Sequence, residues 1–193
     1  MEQRSPRPVL KLADAQVADA ALVRAARQGD GAAREELFMR CAGELQRGVS
    51  RVVLGSDDAQ DIVQDTFVEA FTRLRALKQP ESFRGWLRTI ALTQVRRRFR
   101  RQRLLRRLGF GDPGVELDSV LSDDAPLEVV TELRQVAALL RELPTDEALA
   151  LVLQRVEGYG LQEIAEQLGL SLATVKRRLA AAELRLQAMK EES

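Results

Sequence analysis

The chain has 193 residues, enough for one ordinary domain or two small ones, and its 45% hydrophobic and 31% charged residues describe a globular protein. It holds no histidine and a single cysteine, Cys41, which excludes an internal disulfide, the usual zinc spacings and histidine-based catalysis, and argues against most enzyme classes. The net charge of +1 hides a segregation: Ser82 to Gly111 carries ten arginines and no acid, whereas Asp112, Glu116, Asp118, Asp123, Asp124, Glu128 and Glu132 follow with no lysine or arginine among them.

No apolar run approaches the ~20 residues of a membrane span, and the amino terminus lacks the apolar stretch of a secretory signal. A cytoplasmic protein with no membrane partner is expected. Residues 1–16, with Pro6 and Pro8 among mixed polar residues, read as a flexible leader. Helical patterns follow from about Val17 to Gln28, stopping at Gly29-Asp30-Gly31, and from about Ala32 to Leu54. A third opens at Ser56 or Asp57 and places Val63, Phe67, Ala70, Phe71 and Leu74 on one face, with Asp58, Asp61, Gln64, Asp65 and Glu69 on the other.

After Lys78-Gln79-Pro80-Glu81, Ser82 is the expected cap of the arginine-rich helix. There Phe83, Trp86, Leu87, Ile90, Ala91 and Val95 recur at three- and four-residue steps, and so face a core while the arginines project from the remaining surface. Ten like charges without interleaved glutamates forgo the i, i+4 pairs of a merely solvated helix, and a polyanion is what neutralises such a field. DNA or RNA is the leading candidate. Phe83 and Trp86 can stack on exposed bases, although their spacing with Leu87 and Ile90 fits a core better.

The sequence thus predicts an all-α protein of two small helical domains, 17–107 and 127–190, joined by an acidic, Gly- and Pro-containing linker over 108–126. In the second domain a helix from Leu127 to Leu143 is closed by Pro144, and Thr145 or Asp146 caps the next, which ends at Gly158. LQEIAEQL then runs to Gly169, and Ser171 caps a longer basic helix, which is the grammar of a helix-turn-helix. Ile164, Ala165 and Leu168 can pack on Val175 and Leu179, leaving Thr174, Lys176, Arg177 and Arg178 at the exposed start of a recognition helix. Asp58, Asp61 and Asp65 share a helix face, but nothing completes a metal or catalytic site around them, so no cofactor is expected and a docking surface for a basic partner is the better reading.

Taken together, DDAQDIVQDTFVEAFTRL, SFRGWLRTIA with its arginine tail, and LPTDEALALVLQRVEGYGLQEIAEQLGLSLATVKRRLAAAELRL resemble the extracytoplasmic-function (ECF, group 4) sigma factors of bacterial RNA polymerase, over about residues 17 to 190. The resemblance implies a non-enzymatic promoter-specificity subunit whose partners are core RNA polymerase, promoter DNA and, in some members, an anti-sigma factor. It implies that Asp58, Asp61, Gln64, Asp65 and Glu69 dock on the polymerase. Ser82, Phe83, Arg84, Trp86, Arg88, Thr93, Arg96, Arg97 and Arg100 would read and melt the minus-10 element, and Ser171, Thr174, Lys176, Arg177 and Arg178 would read the minus-35 element. The acidic linker would thread the polymerase's RNA channel.

Members commonly carry an Asn soon after the FRxWLxxIA motif and an Asp four residues later; here Thr93 and Arg97 stand there, so an altered minus-10 preference is expected. The main alternative is a self-sufficient helix-turn-helix regulator that binds its operator without polymerase. A protein that only sequesters another regulator leaves both basic helices unexplained.

Overall fold

Between Val9 and Arg27 no glycine or proline interrupts a run rich in alanine and leucine, and helix α1 (Val9–Arg27) accordingly begins well before the expected start near Val17. The computed structural model describes residues 9–53, 57–109 and 126–191, so residues 1–8 of the expected leader and 110–125 of the expected linker lie outside it. Among the described residues every regular element is helical. Gly29, at φ +99°, turns the chain, and Asp30 accepts a hydrogen bond from the Ala33 amide at 3.1 Å to open α2 (Gly31–Val53).

Ala33, Leu37, Cys41, Leu45 and Val49 repeat every four residues along α2 and form its buried stripe. They meet Ala59, Ile62, Val63, Phe67 and Ala70 of α3 (Asp57–Thr72). Two 3₁₀ turns, Leu74–Ala76 and Pro80–Ser82, lead into α4 (Phe83–Arg107), which buries Phe83, Leu87, Ile90, Ala91 and Val95. Ser82 does not cap α4 through its side chain, because Pro80 has already wound the preceding turn and Ser82 donates its amide to Gln79 at 3.0 Å. Arg27 reaches back to the carbonyls of Leu74 and Leu77, tying α1 to these turns.

The carboxy-terminal helices are α5 (Leu127–Glu142), α6 (Thr145–Arg155), α7 (Leu161–Leu168) and α8 (Leu172–Glu191). Neither Thr145 nor Asp146 caps α6. Pro144, extended at φ −54° and ψ 139°, holds the cap position and its carbonyl accepts the amides of Glu147 and Ala148, which puts Thr145 inside the first turn. Gly169, at φ +63°, ends α7 in the left-handed conformation that other residues adopt at a cost, and the Ser171 hydroxyl caps α8 by accepting the Thr174 amide at 3.2 Å. The apolar core runs without interruption from Val23 to Ala182, because α4 packs on α1, α2 and α3 and also on α6 and α7. Among the described residues no helix is long and apolar enough to cross a membrane.

Candidate nucleic-acid interface

The helix that carries the most positive charge is anchored by its apolar stripe, so its arginines radiate to three different surroundings. Towards the amino terminus, Arg84 Nε donates to Asp19 at 2.6 Å, and Arg84 and Arg88 both pair with Glu44. Asp19 is only 2% exposed, so Arg84 neutralises a carboxylate that has almost no water. Burial acts to lower the Arg84 pKa, but the Asp19 hydrogen bond and the neighbouring Cys41, Asp19 and Glu44 together raise it by more, and the guanidinium is held charged. Phe83 is fully buried and therefore belongs to the core and offers no face to a base, which corrects its assignment as a DNA contact. Trp86 is half-buried against the same core, its ring 6.4 Å from that of Phe83, and Ser82 is exposed beside it.

In the middle of α4 the residues expected to read DNA are partly engaged. Thr93 donates its hydroxyl to the Thr89 carbonyl one turn back at 2.9 Å, and the exposed Arg97 lies 3.5 Å from Glu69. Arg100 and Arg101 are exposed. The docking acids divide in the same way: Asp61, Gln64 and Asp65 are exposed on α3, while Asp58 is held by Arg98 and Gln102, and Glu69 by Gln94 and Arg73. The acidic face is thus narrower than its spacing suggests. Among the described residues no group of three or more acids or cysteines could hold a metal ion.

In α8 the recognition-helix arrangement is present. Val175 and Leu179 are buried against Ile164, Ala165 and Leu168, which leaves Lys176 and Arg177 exposed. Ser171 and Thr174 share a hydroxyl contact of 2.8 Å, and Arg177 leans on Thr174 at 3.4 Å. Arg178 points elsewhere, to the buried Glu147 at 3.6 Å, which Arg185 also approaches at 3.1 Å. It is the least available of the five expected contacts.

The structure also joins residues that no local spacing reveals. Arg96 lies 2.9 Å from Asp146 and donates to the Leu168 carbonyl at 3.2 Å, Thr89 meets Gln167 at 3.3 Å, and Arg51 forks onto Glu157 at 2.5 and 2.8 Å. Arg103 and Arg106 donate to the carbonyls of Leu143 and Arg141. Leu168 ends α7, while Leu143 and Arg141 lie at the end of α5, where carbonyls lack intrahelical partners and cations are favoured. Arginines of α4 thus close two helix ends in the other half of the chain.

Comparison with known proteins places these features in order along one family. Residues 37–104 match the family model described as Sigma-70 region 2, and residues 133–186 match that described as Sigma-70, region 4. The chain is 32% identical over 180 residues to the RNA polymerase sigma factor NccH of Alcaligenes xylosoxydans xylosoxydans, covering 91% of this chain and 96% of that one. It is 30% identical over 169 residues to the ECF RNA polymerase sigma factor SigM of Mycobacterium tuberculosis, covering 87% and 82%. A solved structure of CnrH in complex with the cytosolic domain of CnrY superposes with a TM-score of 0.57 at 28% identity, covering 91% of this chain and 99% of CnrH.

Proposed function

Because this chain belongs to the ECF sigma factors of the RNA polymerase sigma-70 family, we propose a division of its work among three surfaces. As a sigma factor it binds core RNA polymerase and directs initiation at particular promoters. The exposed Asp61, Gln64 and Asp65 of α3 dock on the polymerase. The face of α4 around Trp86, Thr93, Arg97 and Arg100 reads and opens the minus-10 element, with cations for the phosphates and an aromatic edge for an unstacked base. Ser171, Thr174, Lys176 and Arg177 enter the major groove of the minus-35 element, where arginine pairs with guanine and hydroxyls fix phosphates.

The observation that supports this reading best is the presence of two separate cationic helices on one chain, each beginning within its own sigma-family match and extending only a few residues past it. Two small readers gain useful affinity when a third body holds them at fixed separation, which is what docking on polymerase supplies. An anti-sigma factor is a further proposed partner, in keeping with the solved structure of CnrH bound to the cytosolic domain of another protein, CnrY. The chemistry of initiation belongs to the polymerase. The testing experiment is run-off transcription with purified core polymerase on a genomic promoter library, with and without the protein. Discrete new transcripts sharing a two-part upstream motif are expected; tight operator binding without polymerase, and no new transcript, would return the self-sufficient regulator.

A further inference from the structure

Not every arginine of α4 finds an acid. Arg100 and Arg107 are exposed and have no ion pair among the described residues. With Arg103 they stand at i, i+3 and i+7, so all three project from one side of the helix. They line a cleft of about 430 Å³ whose opposite wall is Thr145 and Asp146 of α6 together with Arg178 of α8. That volume is in the range of small-ligand sites, roughly 300–1,000 Å³.

The charge inside the cleft is unbalanced. Four arginines face it against one carboxylate, Asp146, which is already occupied by Arg96 at 2.9 Å. Arg103 commits one N–H to the Leu143 carbonyl at 3.3 Å, and Arg178 stands 3.6 Å from Glu147, so both keep further donors. The amino terminus of α6 opens onto the same space without a side-chain cap, adding its partial positive charge. Guanidinium groups on two walls suit an anion with charge at more than one point, which can satisfy donors on both sides at once.

We propose that this cleft binds a small polyphosphate anion, an inorganic or nucleoside di- or triphosphate, which bridges α4 to α6 and α8. Binding rests on the cleft alone. Its consequence rests on the sigma-factor reading: the bound ion holds the two halves in the arrangement described and withholds Arg100 from promoter DNA.

The test is calorimetric titration of the full chain with sodium triphosphate, against sulfate at matched ionic strength. One ion per chain should bind, with sulfate far weaker. Replacing both Arg100 and Arg107 with Ala should weaken binding at least about tenfold, while Arg101→Ala, an exposed arginine of the same helix outside the cleft, should change it less than about twofold. Unchanged circular dichroism and melting would show that the double variant folds. Equal loss in Arg101→Ala, or several weak sites per chain, would overturn the proposal in favour of a diffuse cationic field. The second arm repeats the titration with a short duplex: if the wild type ignores triphosphate while the double variant loses duplex affinity, the phosphates served are those of nucleic acid and the proposal falls. Triphosphate binding that appears only after Asp112, Glu116, Asp118, Asp123 and Asp124 are neutralised would also overturn it, because the chain's own acids would then compete for the arginines. None of these readouts uses polymerase or a promoter, so a failure of the sigma-factor reading stays separate from a failure of the site.

Discussion

Arg96 of α4 lies 2.9 Å from Asp146 of α6, both partly buried, with Nε and Oδ1 close but not aligned for a hydrogen bond. The pair sits on the seam between α4 and the helix-turn-helix half, so an arginine proposed to contact DNA is held by an acid of its own chain. Removing the acid leaves a half-buried guanidinium whose remaining partner is the Leu168 carbonyl.

Asp146→Asn is therefore expected to lower stability by about 1–2 kcal/mol, measured by urea unfolding, and to raise the affinity of the isolated chain for minus-10 duplex, measured by fluorescence anisotropy. The Arg51–Glu157 pair sets the scale, because its arginine is about half exposed and keeps water when the carboxylate is lost: Glu157→Gln should cost less, about 0.5 kcal/mol. Unaltered stability in Asp146→Asn would mean that the pair contributes nothing in solution.

Arg84→Ala should be the most damaging of the single arginine changes in α4. It strands Asp19, 2% exposed, whose other cation, Arg40, is 3.8 Å away and largely in solvent. Stranding a buried carboxylate costs about 3–5 kcal/mol, whereas Arg88→Ala, which loses one contact of 3.4 Å to an exposed glutamate, should stay within about 0.5 kcal/mol. Equal unfolding midpoints for the two variants would return Arg84 to the list of DNA contacts.

Arg177→Ala should weaken use of minus-35 sequences about tenfold and reduce the salt slope of DNA binding by about one, while polymerase binding is spared. Arg178 is the poorer probe because it faces Glu147. Reversing Asp61 and Asp65 to Lys should do the opposite, abolishing polymerase capture in a pull-down with little change in folding, since both acids are exposed. Capture that survived the reversal would move the docking face elsewhere.

Cys41 is 3% exposed on the buried stripe of α2, and burial pushes its thiol up from 9.0 to about 11. The folded protein thus prefers the neutral thiol, so its contribution is complete below pH 9 and is lost as the pH climbs towards 11 and the unfolded chain gains the thiolate. Wild-type melting temperature should fall across that window more steeply than that of Cys41→Ala. Iodoacetamide at pH 8 should label native Cys41 far more slowly than the unfolded chain. Rapid native labelling would reopen a redox role.

What periodicity can see and what it misses divides cleanly here. The stripes Val63–Phe67–Ala70 and Phe83–Leu87–Ile90 are local, repeat at helical steps and were legible, as were Gly169 and Ser171 at the turn. Helix starts were less so: Val9 lies behind prolines that suggested a leader, and Pro144 took the cap position expected of Thr145 or Asp146. The site was legible as two basic helices. Which arginines face solvent was not, because Arg84 with Asp19, Arg98 with Asp58 and Arg96 with Asp146 are pairings across the fold, and charge alone does not say whether a cation is already matched.

One wall serves two cores. Because α4 is packed on α1, α2 and α3 and is also roofed, over a smaller area, by α6 and α7, the halves cannot melt independently while the seam is closed: losing either strips apolar surface from the helix the other needs. A single calorimetric transition is expected for the closed chain and for Asp146→Asn, which keeps the apolar seam, splitting into two when polymerase holds the halves apart. Heat capacity would then report engagement with the transcription machinery without any label on the protein.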